Sequence, residues 1–370
     1  MSARFLTVVL ERAFNMRDGF GREIDYMRIS VIDSCNLNCY YCNPCDNNEH
    51  CHALNILSVK EVLCIVRAAT RLGIKHFRLT GGEPLLHPQL DEMVLQIKKI
   101  PGVSSVSLTT NAVLLVQHAK WLKEAGIDSI NVSLDTIDAS EYEHITKKPL
   151  LEEVKHGINA AIECGIRVKI NVVLTPQTDV VALTRYVAKK GTDIRFIEMM
   201  PVGEGHTNGV EPYKKVIGTL SKLYGEPCRI NTEKTKEINS GNDKRKIPDN
   251  GPAEYYIFPE LGIRVGLIQA IHGKFCDTCN RIRVTADGRL MPCLGSSVTM
   301  DLVPDSWDFA DDVEKDFAIV RALRAAIKAK PRCHNFNDNA VTYTKTTETK
   351  TTEIEAAEVN AARNMSRIGG

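Results

Sequence analysis

Six of the 12 cysteines fall into two trios near opposite ends of the chain, Cys35-x3-Cys39-x2-Cys42 and Cys276-x2-Cys279-x13-Cys293. Three thiolates match three of the four irons of a 4Fe-4S cluster and leave one iron open. An open iron can hold a ligand or substrate as well as carry electrons. Zinc and disulfides are the competing uses. Structural zinc prefers a closed set of four Cys or His ligands in paired short spacings. The first trio lacks an obvious fourth ligand, although Cys45, Cys51, His50 and His52 lie close enough to keep zinc open. Disulfides suit small secreted scaffolds rather than a chain of 370 residues whose cysteines are mostly scattered. Spacing favours cluster ligation at both trios.

A cluster loop needs a rigid frame, and the pattern of the chain supplies one. Between residue 27 and about residue 201, short β-type runs alternate with helical stretches, which argues for parallel β/α units. The strands are expected at 27–32, 76–80, 103–109, 129–134, 168–174 and 194–199. Helices are expected from the Ser58/Glu61 capping box to near Gly73, and over 89–99, 117–125, 151–164 and 180–190. Six strands in strict β-then-α order predict an α/β fold, a partial (β/α)6 TIM-type barrel. Ligands in such folds sit at the carboxyl ends of the strands, which is where the first trio emerges. Thr80-Gly81-Gly82-Glu83-Pro84 follows the second strand. Its glycines let the backbone approach a ligand, and Glu83 could receive an ammonium group; an ordinary strand-to-helix turn is the plainer reading.

Beyond residue 203 the alternation fades. The polar stretch 233–251 reads as a mobile loop, and β-type runs resume at 254–258, 263–268, 281–285 and 289–291 around the second trio, with a hairpin turn at Ala286-Asp287-Gly288. The Thr-, Lys- and Glu-rich segment 342–352 has too few apolar side chains to build a core. The expected division is 1–203 for the barrel core, 204–341 for an auxiliary-cluster region closing the barrel, and 342–370 for a flexible insertion and tail. With 47 Lys plus Arg against 46 Asp plus Glu, bulk charge points to neither nucleic acid nor membrane. No apolar run has the length of a membrane span or signal peptide, and two sites needing reduced thiols suggest a cytoplasmic location.

The Cys-x3-Cys-x2-Cys loop, with Tyr41 before its last cysteine, and the Gly-Gly-Glu-Pro turn together resemble radical S-adenosylmethionine (SAM) enzymes. That resemblance implies a 4Fe-4S cluster on Cys35, Cys39 and Cys42. Its open iron would chelate SAM, and one electron would split SAM into methionine and a 5′-deoxyadenosyl radical. Further runs extend the likeness over almost the whole chain. They are 17–22, 26–30, 78–84, 131–135, 195–203, Phe275-Cys276 through Cys279-Asn280-Arg281-Ile282-Arg283, and the terminal Gly369-Gly370. Together they resemble the GTP 3′,8-cyclase family of molybdenum cofactor biosynthesis.

This second resemblance implies conversion of GTP to 3′,8-cyclo-7,8-dihydro-GTP. It implies SAM contacts from Tyr41, Gly82, Ser133 and Met200, and GTP contacts from Arg28, Arg78, Thr109, Lys169, Arg281, Ile282 and Arg283. Cys276, Cys279 and Cys293 would hold a second 4Fe-4S cluster facing the substrate. Arg28, Arg281, Arg283, Gly369 and Gly370 would be catalytic, the side-chain-free tail entering the active site. An electron donor protein and a downstream cyclic pyranopterin monophosphate synthase would be the partners, and a homodimer is compatible. Five cations on one cavity could balance a triphosphate, although a strand arginine is commonly a solvated or salt-bridged surface residue. The chain departs from the family pattern at 43–46, at His87 where arginine is frequent, and at Ala112 where glycine is usual. The rival reading is a radical SAM enzyme with an auxiliary cluster that modifies a peptide or protein.

Overall fold

The structure, a computed structural model, describes residues 16–42, 55–202, 210–230, 251–296, 298–302, 312–334 and 336. The six expected strands are β1 (Tyr26–Ser30), β2 (His76–Thr80), β3 (Ser105–Thr110), β4 (Ser129–Ser133), β5 (Val168–Leu174) and β6 (Asp193–Glu198). They pair in parallel in that order. The connecting helices are α1 (Val59–Arg71), α2 (Leu90–Lys98), α3 (Leu115–Glu124), the pair α4 (Ala139–Thr146) and α5 (Leu151–Glu163), and α6 (Val180–Lys189). Two helices between β4 and β5 break the expected strict alternation.

Local chemistry sets these boundaries. The capping box opens α1: Ser58 Oγ accepts from the Glu61 N–H at 3.3 Å and Glu61 Oε2 accepts from the Ser58 N–H at 2.7 Å. Asp138 and Asp179 start α4 and α6 by accepting from the Glu141 and Ala182 N–H groups. Strand β5, with Val168, Ile170, Val172 and Leu174 buried, reads as an apolar run because helices cover this sheet.

The later region contributes β7 (Cys228–Ile230), β8 (Glu254–Ile257), β9 (Arg264–Ile268), β10 (Arg281–Val284), β11 (Arg289–Met291) and β12 (Met300–Asp301), with helices α7 (Gly218–Tyr224) and α8 (Asp312–Lys328). The sheet order is β12-β11-β10-β1-β2-β3-β4-β5-β6-β9-β8-β7. The parallel run is therefore longer than six strands. Strand β9 joins β6 in parallel and β10 joins β1 in parallel, while β8, β7, β11 and β12 extend the edges antiparallel. Sequence-distant strands thus flank both sides of an open barrel. Helix α8, absent from the sequence expectation, packs on α1 and is tied there by Arg71 Nη2 to Asp316 Oδ2 at 2.8 Å. The expected polar loop lies outside the described residues except for Gly251, as does segment 342–352.

Candidate active site

One cavity of about 310 Å³ is lined by all six cysteines of the two trios. The first trio follows β1 at the carboxyl ends of the strands, and the turn after β2 packs directly on its loop. The Gly82 N–H donates to Ile32 O at 2.8 Å and the Glu83 N–H donates to Ser34 O at 2.8 Å. A Cβ on Gly81 would fall 2.4 Å from Ile32 O, and one on Gly82 would fall 2.1 Å from Ser34 O. The glycines are thus required by protein backbone as well as available to a ligand. Glu83 does not line the cavity. Its buried carboxylate accepts from the Leu85 N–H at 3.0 Å, the Thr110 hydroxyl at 2.7 Å and the Asn111 N–H at 2.7 Å. The expected ammonium receptor is instead a peg joining the ends of β2 and β3, and burial pushes its pKa up to about 7. Asn111 Nδ2, on the same segment, donates to Asn36 Oδ1 at 2.7 Å and faces Cys35 Sγ at 3.8 Å.

The second trio lies at the other end of the strands. Cys279 precedes β10, whose Arg281 is level with Tyr26 at the start of β1. Cys293 follows β11, which runs antiparallel back along β10. By the strand rise of about 3.3 Å per residue, the length of β1 separates the two ends by roughly 13 Å. Burial pushes the Cys35 thiol up to about 11 and raises Cys39 and Cys276 as well. Burial also acts upward on Cys279, but Lys330 and Arg281 outweigh it and leave the thiol below its ordinary value.

Between the trios runs a row of arginines fixed by strand register. Arg283 on β10, Arg28 on β1 and Arg78 on β2 are direct cross-strand neighbours, and Ser107 on β3 continues the row. Arg281 lines the same cavity two residues before Arg283 on β10. Arg78 and Arg281 each lie over the Tyr26 ring, 5.6 and 5.8 Å from its centre, and Arg281 also lies 5.7 Å from that of Phe275. Burial first, then Arg283 and Arg78, holds Arg28 well below the ordinary arginine pKa. Burial and Arg281 lower Arg283 to about 10. Such a concentration of like charge on one cavity is suited to an anion of several charges.

The remaining sequence candidates divide. Tyr41, Gly82, Ser133, Met200 and Thr109 line the cavity. The Thr109 hydroxyl is buried without a hydrogen-bond partner, whereas the Tyr41 hydroxyl donates to Asp135, leaving its ring and backbone to face a ligand. Asp135 also accepts from the Val173 N–H at 2.7 Å, and burial lifts its pKa to about 6. Lys169 is buried on the face of β5 shared with Asn171 and Val173, but those two line the cavity and Lys169 does not. Ile282 turns into the hydrophobic core between its two arginine neighbours. Gly369 and Gly370 lie outside the described residues, as do Cys45, Cys51, His50 and His52.

Sequence reasoning missed Arg195 and Lys330. Arg195 lines the cavity from β6, donating from Nε to Asn171 Oδ1 at 2.9 Å and from Nη2 to Asn131 Oδ1 at 2.5 Å. The alternation of Arg195, Ile197 and Met199, all lining the cavity, was the available signal. His87, at a departure from the family pattern, is buried and satisfied: Nε2 donates to Leu57 O at 2.9 Å and Nδ1 accepts from the Gln89 N–H. Ala112, the other departure, takes the left-handed φ of 65° that glycine accommodates more easily.

The donor set fits clusters better than single ions. No group of three His, Cys, Asp or Glu among the described residues is gathered tightly enough for one metal ion. Thiolates that bind separate irons of a cubane are spread more widely than the ligands of one zinc. Each trio places its thiols on the wall of a cavity where an open iron could meet a ligand.

Comparison with known proteins is consistent with this geometry. A Radical SAM superfamily domain matches residues 29–182 and a Molybdenum Cofactor Synthesis C domain matches residues 192–336. A GTP 3′,8-cyclase of Clostridium perfringens is 35% identical over 87% of this chain and 95% of its own length. That of Pelotomaculum thermopropionicum is 36% identical over 86% and 95%. Among solved structures, Streptococcus suis SuiB bound to the precursor peptide SuiA covers 87% of this chain and 69% of its own at a TM-score of 0.54 and 14% identity. The AdoMet-bound anSMEcpe structure covers 82% and 84% at a TM-score of 0.53 and 17% identity. At these identities the structural likeness speaks to the fold alone.

Proposed function

Because the chain belongs to the GTP 3′,8-cyclase family of radical SAM enzymes, we propose that its single two-trio cavity holds SAM at one end and GTP between the trios. The enzyme is a GTP 3′,8-cyclase of molybdenum cofactor biosynthesis and, as a radical SAM enzyme, uses a 4Fe-4S cluster with SAM. The observation that carries the assignment of the GTP subsite is the register-locked row Arg283, Arg28 and Arg78. Peptide modification, the rival, is supported only by fold-level likeness to SuiB.

Cys35, Cys39 and Cys42 would hold the first cluster, with Tyr41, Gly82, Ser133 and Met200 around SAM. When bound, cluster and SAM supply a 5′-deoxyadenosyl radical. The chain's own work is positional. Arg28, Arg78, Arg281 and Arg283 grip the triphosphate, and Thr109 offers a buried hydroxyl. Lys169, one step deeper on β5, and the backbone of Ile282 complete the proposed contacts. Fixing the nucleotide holds carbon 3′ and carbon 8 within reach of each other, and the enclosed walls keep water from the radical. Cys276, Cys279 and Cys293 would hold a second 4Fe-4S cluster on the substrate side, and the Gly369-Gly370 tail is assigned to the same reaction from the family pattern. We further assign the barrel to 1–203, the auxiliary region to 204–341 and the insertion and tail to 342–370. An electron donor protein, a downstream cyclic pyranopterin monophosphate synthase, a homodimer and a cytoplasmic location complete the reading. No helix among the described residues is long and apolar enough to cross a membrane.

The test is anaerobic incubation of reconstituted protein with SAM, dithionite and GTP, followed by mass spectrometry. The expected products are 5′-deoxyadenosine and an isomer of GTP carrying the new carbon–carbon bond. SAM cleavage with unchanged GTP would reject GTP as substrate.

A further inference from the structure

The second trio is tied together by a segment that no sequence motif pointed to. After α8 the chain runs Lys330-Pro331-Arg332-Cys333-His334. Lys330 is 4% exposed, and its ammonium donates to Arg281 O at 2.7 Å and Pro292 O at 2.8 Å. Arg281 lies two residues after Cys279 and Pro292 immediately before Cys293. The same ammonium lies beside the Cys279 thiol. It therefore ties the segment after Cys279 to the residue before Cys293 across the β10–β11 hairpin.

The third cysteine is held from the opposite side. Arg22, 8% exposed, pairs through Nε with Asp18 Oδ2 at 2.5 Å. Its Nη1 donates to Cys276 O at 2.7 Å and Arg332 O at 2.9 Å, and Nη2 donates to Pro331 O at 2.6 Å. The His334 backbone lies beside the Cys276 thiol, and His334 Nε2 donates to Ala270 O at 2.7 Å, just past β9. Segment 330–334 thus reaches both β10 and the end of β9, the two ends of the parallel run that do not pair with each other.

We propose that residues 330–334, gripped by Arg22, are the strap that sets the spacing of the second trio, and that Lys330 is its positioning residue. The lysine fixes Cys279 and Cys293 relative to one another and places its ammonium group beside them. Net charge and hydrogen bonds to sulfur set the reduction potential of a cluster. A buried cation at this place favours the reduced, more negative state. The Asp18–Arg22 pair thereby also acquires a role: it carries the amino-terminal part of the barrel onto the second site. This inference rests on the reading of the second trio as cluster ligands.

The experiment compares wild type, Lys330→Met and Arg22→Lys after anaerobic reconstitution. Iron and sulfide per chain, the electron paramagnetic resonance signal of each cluster, and the midpoint potential of the second cluster are measured. In Lys330→Met the first-cluster signal and its response to SAM should persist, while the second-cluster signal changes and its potential shifts negative. Arg22→Lys, unable to reach three carbonyls at once, should lower second-cluster occupancy. If Lys330→Met does not fold, Lys330→Arg carries the test. Charge is then kept but geometry altered, so the second-cluster line shape should change with little shift in potential. A second-cluster signal, occupancy and potential identical to wild type in the folded variants would overturn the strap. Wild type holding iron for one cluster only would overturn the cluster reading itself, and the strap with it.

Discussion

Arg28 is half-buried in the cavity wall and flanked in register by Arg283 and Arg78, and its guanidinium is held well below the ordinary arginine pKa. An anion of several charges relieves that repulsion, so each arginine should contribute the energy of a charge-assisted bond, about 1.5–3 kcal/mol. Arg281→Ala should weaken GTP binding by roughly one to two powers of ten. Equilibrium titration with the triphosphate checks it, and unaltered affinity would remove Arg281 from the site. Glu83 gives a prediction of opposite character. Its folded pKa, raised by burial to about 7, exceeds the ordinary value of 4.5, so between these values the folded state binds more protons than the unfolded one. Its contribution to stability is therefore full below about pH 4.5 and is lost as pH rises through 7. Glu83→Gln should flatten that part of the pH dependence in thermal melts. A variant with the wild-type slope would mean that Glu83 is not the titrating group.

At the scale of elements, the turn after β2 and the loop after β1 are one packed unit. The Gly82 Cα lies so close to the Ser34 carbonyl that an added methyl would sit 2.1 Å from its oxygen, and backbone cannot yield as a flexible side chain does. Gly82→Ala should displace the first cysteine loop, abolishing SAM cleavage and lowering iron. The core elements, buried elsewhere, should keep their far-ultraviolet circular dichroism. Full SAM cleavage by Gly82→Ala would show that the loop can move without consequence. Helix α5 makes a similar close approach: a Cβ on Gly157 would fall 2.3 Å from Ala112 O, in the segment whose φ is already left-handed. Gly157 thus leaves room for the Ala112 carbonyl, and the Ala112 N–H is held by the Thr110 hydroxyl at 2.9 Å.

For the whole molecule, the separation of the two trios along the strands predicts separable losses. If each trio ligates one cluster, as proposed, replacing Cys35, Cys39 and Cys42 by Ala should remove about half the iron and all SAM cleavage. Replacing Cys276, Cys279 and Cys293 should leave slow SAM cleavage but no cyclised nucleotide. Iron assay and product analysis on the two triple variants decide the matter: identical defects in both would contradict two sites with divided roles.

Much of this was legible in the chain. Strands β2 and β5 and the capped helix α1 were readable because apolar alternation and the Ser58/Glu61 pair act locally. The first trio and its Gly-Gly turn lie close enough in sequence to announce a cluster loop. Helix α8 was missed, although the helical spacing of Ile319, Leu323, Ala326 and Ile327 was a signal for it. What only the tertiary structure decided depends on pairing between distant segments. Placing β10 beside β1 aligns Arg283 with Arg28 across more than two thirds of the chain. Lining the cavity from β6 gives Arg195 a place at the site, while Lys169, two residues before Asn171 on β5, does not line that cavity. The role of Glu83 changed for the same reason: a carboxylate in a glycine-rich turn looks free until the next strand delivers Thr110 and Asn111 to it. Sequence determines which groups are available; the register of strands from opposite ends of the chain determines which of them meet.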